Sequence, residues 1–207
     1  MPKTPTRVDV DALLVAMAVP PGDDDVEGRI LASSSDLLVA HGLSGLEVDD
    51  VATASGVGRS TIYRRFTDRN GLISATIAAQ ARRFFAALAD AVDPDEDVEG
   101  QVVSAFAAGL RLVRRGGLGE LVRSEPLLLR LVTVDSGPVV AAARAQILAE
   151  AIRRRPGLDR DDAAARAELL VRLAISFVLL PESVLDLDDA ELENTLRRHL
   201  RPLVNDG

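Results

Sequence analysis

Cysteine and tryptophan are absent from this 207-residue sequence, and histidine occurs only at His41 and His199. The lack of cysteine excludes disulfide bonds and thiolate metal ligands, and it fits a reducing, cytoplasmic location. Neither histidine has a second ligand-type residue at metal-binding spacing, and no set of convergent catalytic groups stands out. We therefore expect no metal and no other cofactor, and an all-α enzyme is the least favoured function.

Aromatic residues make up only 3% of the chain, although 47% of it is hydrophobic. The core must therefore consist of leucine, valine, isoleucine and alanine, and leucine and alanine are strong helix formers. No segment alternates with the period of two that strands require, so we expect an all-α fold. No apolar run approaches the ~18 residues of a membrane span, and the short run 12–19 lacks the basic flank of a signal peptide.

Negative charge exceeds positive charge, since 32 aspartates and glutamates against 24 lysines and arginines give a formal net charge of −8. Positive charge is unevenly placed, however: residues 59–69 contain four arginines and a single aspartate. A small basic patch on an acidic body attracts phosphate at one face and repels it elsewhere. This distribution is compatible with binding to double-stranded DNA.

Proline, glycine and charge clusters divide the chain. Residues 1–25, rich in proline and aspartate, read as a flexible arm, followed by domains at 26–72 and 73–207. Helical periodicity and capping signals predict the main helices. These are expected at about 27–41, 48–55, 59–65, 69–92, 98–113, 136–155, 161–180 and 188–203.

Residues 48–65 have the layout of a helix-turn-helix motif, a short helix, a tight turn and a second short helix. Ala52 is small where the two helices would cross, and Gly56 suits the left-handed backbone of the turn. Val51, Val57 and Ile62 supply a miniature apolar core. The second helix keeps polar groups on its outer side and would fit the major groove.

The stretch VDDVATASGVGRSTIYRRFTDRNGLISATI (48–77) resembles the DNA-binding region of TetR-family regulators. The resemblance implies that Arg59, Ser60 and Thr61 face bases or phosphates. Tyr63 would donate its hydroxyl to a phosphate, and Arg69 would bind phosphate at a helix N-terminus. The full predicted DNA-binding set is Arg59, Ser60, Thr61, Tyr63, Arg64, Arg65 and Arg69. The sequence departs from the family pattern at Glu47 and Gly58, where a capping threonine and a capping serine are common.

The segment LLVRLAISFVLL (169–180) is apolar on nearly every side, so it needs partners on both faces. The last helix repeats leucine at helical spacing. Two such helices from each subunit would form a four-helix dimer interface, as the family resemblance also implies; the alternative is a central helix in a monomer core. The predicted interface comprises Leu169, Leu173, Phe177, Leu192, Leu196 and Leu200.

In the family, the remaining helices surround an effector pocket. The predicted lining is Phe84, Phe85, Leu88, Phe106, Leu110, Leu127, Leu131, Ile147 and Phe177, although ordinary core is the favoured interpretation for each residue taken singly. The resemblance thus implies an N-terminal three-helix DNA-binding domain and a larger helical domain for ligand binding and dimerisation. We predict a homodimeric repressor that a small, apolar effector releases from a palindromic operator. The alternative is a helical small-molecule binding protein without a DNA function.

Overall fold

The computed structural model describes residues 25–115, 117–180, 182 and 191–204. This part of the chain is helical and contains no strand, which confirms the all-α prediction. The predicted arm, except for Asp25, and the predicted helix start at Asp188 lie outside the described residues. The helices are α1 (Asp25–His41), α2 (Val48–Ser55), α3 (Arg59–Phe66), α4 (Arg69–Asp90), α5 (Val98–Arg115), α6 (Leu118–Ser124), α7 (Pro126–Val132), α8 (Gly137–Arg154), α9 (Arg160–Leu179) and α10 (Leu192–Val204).

Local sequence signals explain several helix ends. Gly42, directly after α1, has a φ of 68°, a left-handed conformation that glycine adopts without strain. The side chain of Asp159 caps α9 by accepting hydrogen bonds from the backbone N–H groups of Asp161 and Asp162. Helix α8 has a proline in its first turn, where the missing N–H costs no helical bond.

The chain forms two compact units. The first extends to Arg83 and also includes Glu125–Leu127, whereas the second consists of Phe84–Ser124 and the chain from Leu128 onward. The division within α4 therefore lies between residues 83 and 84, not at the predicted boundary between 72 and 73. Ile73, Thr76 and Ala78 are completely buried, so the first half of α4 supplies core side chains.

The first unit contains α1, α2, α3 and the first part of α4. Its largest fully buried side chains include Ile30, Leu38, Val51, Ile62 and Leu72. They come from all four helices, so burial of this shared apolar surface holds the short helices α2 and α3 in place.

In the second unit, one apolar cluster joins α5 and α10, and α9 packs against it. Its buried members are Val103, Phe106, Ala107, Leu110, Leu192, Leu196 and Leu200, with Leu170, Leu173, Ala174 and Phe177 partly buried beside them. Helix α8 runs along α9, and an ion pair of 2.8 Å between Arg144 and Glu168 links the two.

Among the described residues, no single helix is both long and apolar enough to cross a membrane. Helices α7 and α8, bent by 63° at the break between them, meet the length and composition requirement only as a pair.

Candidate nucleic-acid interface

The turn between α2 and α3 has the geometry that the motif predicts. Gly56 ends α2 with φ 66° and ψ 23°, the left-handed conformation expected there. The buried hydroxyl of Ser55 donates to the carbonyl of Val51 and accepts from the N–H of Val57 at 3.3 Å. Gly58, the residue directly before α3, has an extended backbone. The turn is therefore braced by local bonds, which sets the direction of α3.

Helix α3 has one buried and one exposed face. Ile62 and Phe66 are buried in the first unit, and Thr61 and Arg65 are half-buried. Arg59, Ser60 and Arg64 are exposed, and so is Tyr63, at 42%. The predicted outer face of the recognition helix is thus open along its length.

Two arginines of α3 are paired with carboxylates from other helices. Arg59 Nε lies 2.8 Å from the carboxylate of Asp49 in α2, and Arg65 lies 3.8 Å from that of Glu27 in α1. Among the residues that the structure describes, Arg64 has no carboxylate partner. The exposed cationic groups of α3 therefore differ in how fully their charge is already balanced.

Arg69, at the start of α4, has a different environment from the one expected. Its guanidinium donates from Nε to the carbonyl of Leu46 at 2.8 Å and from a terminal nitrogen to that of Leu43 at 2.6 Å. The carboxylate of Glu47 lies 3.4 Å away. Arg69 therefore holds the segment that leads into α2, while its predicted phosphate contact stays a prediction.

The connection from α3 to α4 contains Thr67, whose backbone conformation is unusual, with φ 64° and ψ −58°. The N–H of Asp68 bonds to the carbonyl of Phe66 at 2.6 Å across it, so the turn is a γ-turn with positive φ, a rare and strained form. The Asp68 carboxylate then caps α4 by accepting from the N–H of Gly71 at 2.8 Å.

The sequence did not predict the partners of two carboxylates in this unit. They are Asp49, in the first turn of α2, and Glu125, between the end of α6 and the start of α7. In the structure, the Glu125 carboxylate accepts from the N–H of Leu43 at 2.8 Å, next to the left-handed Gly42. No local pattern predicts this contact, because Glu125 and Leu43 are 82 positions apart.

The predicted interface residues fall into two groups. Leu192, Leu196 and Leu200 are between 0% and 4% exposed within a single chain, where they pack against α5. These three side chains therefore have almost no surface left for a second chain, while the expected four-helix interface stays a prediction. On α9, Leu173 and Phe177 are half-buried and Leu169 is 54% exposed.

The predicted pocket residues differ in burial and in the unit to which they belong. Phe106 and Leu110 belong to the buried cluster, and the ring of Phe106 meets that of Phe177 edge-on at 6.2 Å. Leu131 is buried, and Leu127 belongs to the first unit. The half-buried members are Phe84, Phe85, Leu88, Leu127, Ile147 and Phe177. No group of three or more ligand-type side chains in the described ranges could hold a metal ion.

Comparisons with known proteins agree with this architecture. Residues 30–76 match the model for bacterial regulatory proteins of the tetR family, and residues 97–198 match a C-terminal domain of the bacterial tetracyclin repressor type. The HTH-type transcriptional regulator AlkX of Mycobacterium tuberculosis is 31% identical over 183 residues, covering 84% of this chain and 83% of the relative.

Solved structures show the same fold. The TetR family repressor AlkX from Dietzia sp. is 25% identical, with a TM-score of 0.64, and the match covers 86% of this chain and 98% of that one. The repressor QsdR of R. erythropolis is 18% identical, with a TM-score of 0.55, over 90% of this chain and 100% of that one.

An open recognition helix in a braced helix-turn-helix unit, joined to a larger helical unit, defines a one-component DNA-binding regulator. The chain belongs to the TetR family of bacterial transcriptional regulators. Members of this family are regulators and not enzymes, so the all-α enzyme considered from the sequence is excluded.

Proposed function

We propose that this regulator is a homodimeric repressor that binds a two-fold symmetric operator and leaves it when an apolar small molecule binds to the second unit. The observation that carries the DNA part is the open face of α3, formed by Arg59, Ser60, Tyr63 and Arg64. An α-helix fits the major groove, where arginine reads guanine and hydroxyl groups bind phosphates.

The DNA proposal is tested by selecting duplexes from a random-sequence library with the full-length protein. Arg64→Ala should weaken binding to the selected duplex and reduce the slope of log affinity against log salt by about 0.9, since one phosphate contact is lost. Tyr63→Phe should weaken binding by removing one hydroxyl donor.

The matched control is Arg83→Ala, which removes an exposed arginine of α4 that lies outside the recognition helix. It should leave the salt slope unchanged. Failure to enrich any sequence, or equal effects of Arg64→Ala and Arg83→Ala, would contradict the proposal.

The effector part of the proposal rests on the apolar second unit and on the Dietzia relative, whose structure describes a repressor implicated in biodegradation of n-alkanes. We propose that this chain responds to a molecule with a long hydrocarbon chain. The half-buried side chains of Phe84, Phe85, Leu88 and Ile147 are the proposed contacts. The effector must bind the DNA-free conformation more tightly, because only differential affinity shifts an equilibrium.

The effector test adds n-alkanes of increasing length to the protein–operator complex and, separately, to the free protein. Release should strengthen with chain length, because each buried CH₂ contributes about 0.8 kcal/mol. The free protein should also gain thermal stability, which is a readout independent of DNA. No release and no thermal shift at any length would exclude this effector class and leave the DNA proposal intact.

The dimer part of the proposal now rests on α9. Leu169, in α9, is 54% exposed, and Leu180, directly after the end of α9, is 68% exposed. Pairing of this surface across a two-fold axis would cover both and would place two recognition helices on one duplex.

A further inference from the structure

The formal charges of the helix-turn-helix motif, counted over residues 47–69, cancel. Residues 47–69 contain four arginines and four carboxylates, and three of those carboxylates, Glu47, Asp49 and Asp50, precede or begin α2. The basic patch at 59–69 is therefore matched by an acidic helix start in the same motif. Such a unit should attract generic DNA less than its arginines suggest, because non-specific binding comes from neutralised phosphates.

Part of this charge balance is a direct ion pair between Asp49 and Arg59. Arg59 is the first residue of the recognition helix, and its Nε lies 2.8 Å from the Asp49 carboxylate. Asp49 sits in the first turn of α2, where the helix dipole favours a negative charge. Both side chains are more than half exposed, at 59% and 62%, so DNA can reach the pair.

We propose that Asp49 is a specificity-determining residue, which lowers affinity for non-operator DNA by holding and neutralising Arg59. The inference rests on the proposed contact between α3 and DNA. An arginine that already has a carboxylate partner displaces no counterion from a single phosphate, since it only exchanges one anion for another. At the operator, a guanine edge offers O6 and N7 to the arginine and so rewards one base, whereas phosphate contacts are the same on every sequence.

The consequence is that Arg59 should act at the operator but contribute little to generic DNA binding. Arg64, which has no carboxylate partner among the described residues, should contribute to both. The two arginines lie on the same exposed face of α3 and differ in this respect.

The test compares Asp49→Asn with Asp36→Asn in the full chain. Asp36 is an exposed aspartate of α1 with no ion pair among the described residues, so both variants remove one negative charge from the same unit. The probes are the duplex selected by the wild-type protein and a scrambled duplex of equal length and composition. Asp49→Asn should tighten binding to the scrambled duplex and steepen the slope of log affinity against log salt for that duplex by about 0.9. The gain in affinity should therefore be ~3-fold larger at 50 mM than at 200 mM salt. The operator-to-scrambled affinity ratio should fall, and Asp36→Asn should leave the slope unchanged.

The role of Asp49 must act through Arg59, and a second pair of variants tests this. In an Arg59→Ala background, Asp49→Asn should no longer steepen the slope. In the otherwise wild-type chain, Arg59→Ala should change the scrambled-DNA slope much less than Arg64→Ala does. This comparison needs no Asp49 variant, so it decides the matter even if Asp49→Asn folds poorly.

The outcomes separate the two proposals. Equal effects of Asp49→Asn and Asp36→Asn, a gain that persists without Arg59, or equal slope losses for Arg59→Ala and Arg64→Ala would overturn the role of Asp49 alone. A wild-type protein that selects no sequence would overturn the proposed function and, with it, this inference.

Discussion

At the residue scale, the environment of Arg69 shows how one side chain can match a family pattern and still have a structural task. Its guanidinium bonds to the carbonyls of Leu43 and Leu46, which lie between α1 and α2. A planar fork of N–H donors can serve two carbonyls at once, whereas the ammonium group of lysine is a single point of charge.

We therefore expect Arg69→Lys to lower the free energy of unfolding by about 1–3 kcal/mol, the cost of leaving buried polar groups poorly satisfied. Urea unfolding of the full chain measures this. Arg64→Lys is the control, because Arg64 is exposed, and it should stay within about 0.5 kcal/mol of the wild type. Equal stability of the two variants would mean that Arg69 has no structural role.

Thr67 gives a second prediction at this scale, because its φ of 64° is strained for a β-branched residue. Thr67→Gly should raise the free energy of unfolding by about 1 kcal/mol, since relief of roughly 1–3 kcal/mol exceeds the entropic cost of glycine. Thr67→Ala keeps the Cβ and should give no such gain. Thermal or urea unfolding would detect the difference, and a stabilisation shared by both variants would point away from backbone strain.

At the element scale, α9 and α10 differ in how far they expose the leucines that the sequence predicts at a dimer interface. Leu196 is 2% exposed inside one chain, whereas Leu169 is 54% exposed. Leucine repeats at helical spacing mark both helices in the same way, so only the packing distinguishes a core leucine from a surface one.

Leu169→Arg should convert the proposed dimer into folded monomers, measured by sedimentation and circular dichroism. Leu196→Ala should instead lower the free energy of unfolding by about 2–5 kcal/mol, because it leaves a cavity in the core of the protomer. A Leu169→Arg protein that still sediments as a dimer would place the interface elsewhere.

The end of α8 supplies a prediction about pH. Hydrogen bonds from Arg153, and then from Arg154, lower the pKa of Glu150 from 4.5 to about 2, although partial burial opposes the shift. Arg154 also donates to the carbonyl of Ala89 at the end of α4, so the carboxylate helps to join two helices.

Because the folded-state pKa is the lower one, this stabilisation is complete above about pH 4.5 and is lost as the pH falls toward 2. Glu150→Gln should therefore flatten the dependence of unfolding free energy on pH between 5 and 2. Asp36→Asn serves as the control, because it removes an exposed carboxylate with no ion pair in the described part of the chain. Identical curves for wild type and Glu150→Gln would refute the assignment.

At the scale of the whole molecule, the proposed dimer makes a prediction about DNA geometry. Two recognition helices related by a two-fold axis read half-sites about one helical turn, ~10 base pairs, apart. Inserting about five base pairs between the half-sites moves them to opposite sides of the duplex. Affinity should then fall toward that for random DNA, a loss of at least about 10³-fold in typical systems. Retained affinity in a titration with such a duplex would indicate independent binding of single units.

The sequence alone was sufficient for the fold class, for the positions of the long helices and of the two short helices of the motif, and for the family. Those properties depend on local periodicity, on capping residues and on a motif whose members are close in the chain, such as Gly56, Ile62 and Tyr63. Local steric and hydrogen-bonding preferences act over a few residues, so they are legible without a structure.

Only the tertiary structure decided which charges and leucines meet. The pairing of Asp49 with Arg59, the contact of Glu125 with Leu43 and the burial of Leu196 against α5 each join different helices or connecting segments. A side chain's sequence position states its chemistry and its face, but its partner depends on the packing of elements that are distant in the chain. For that reason the location of the recognition helix could be predicted, and the ion pairs around it could not.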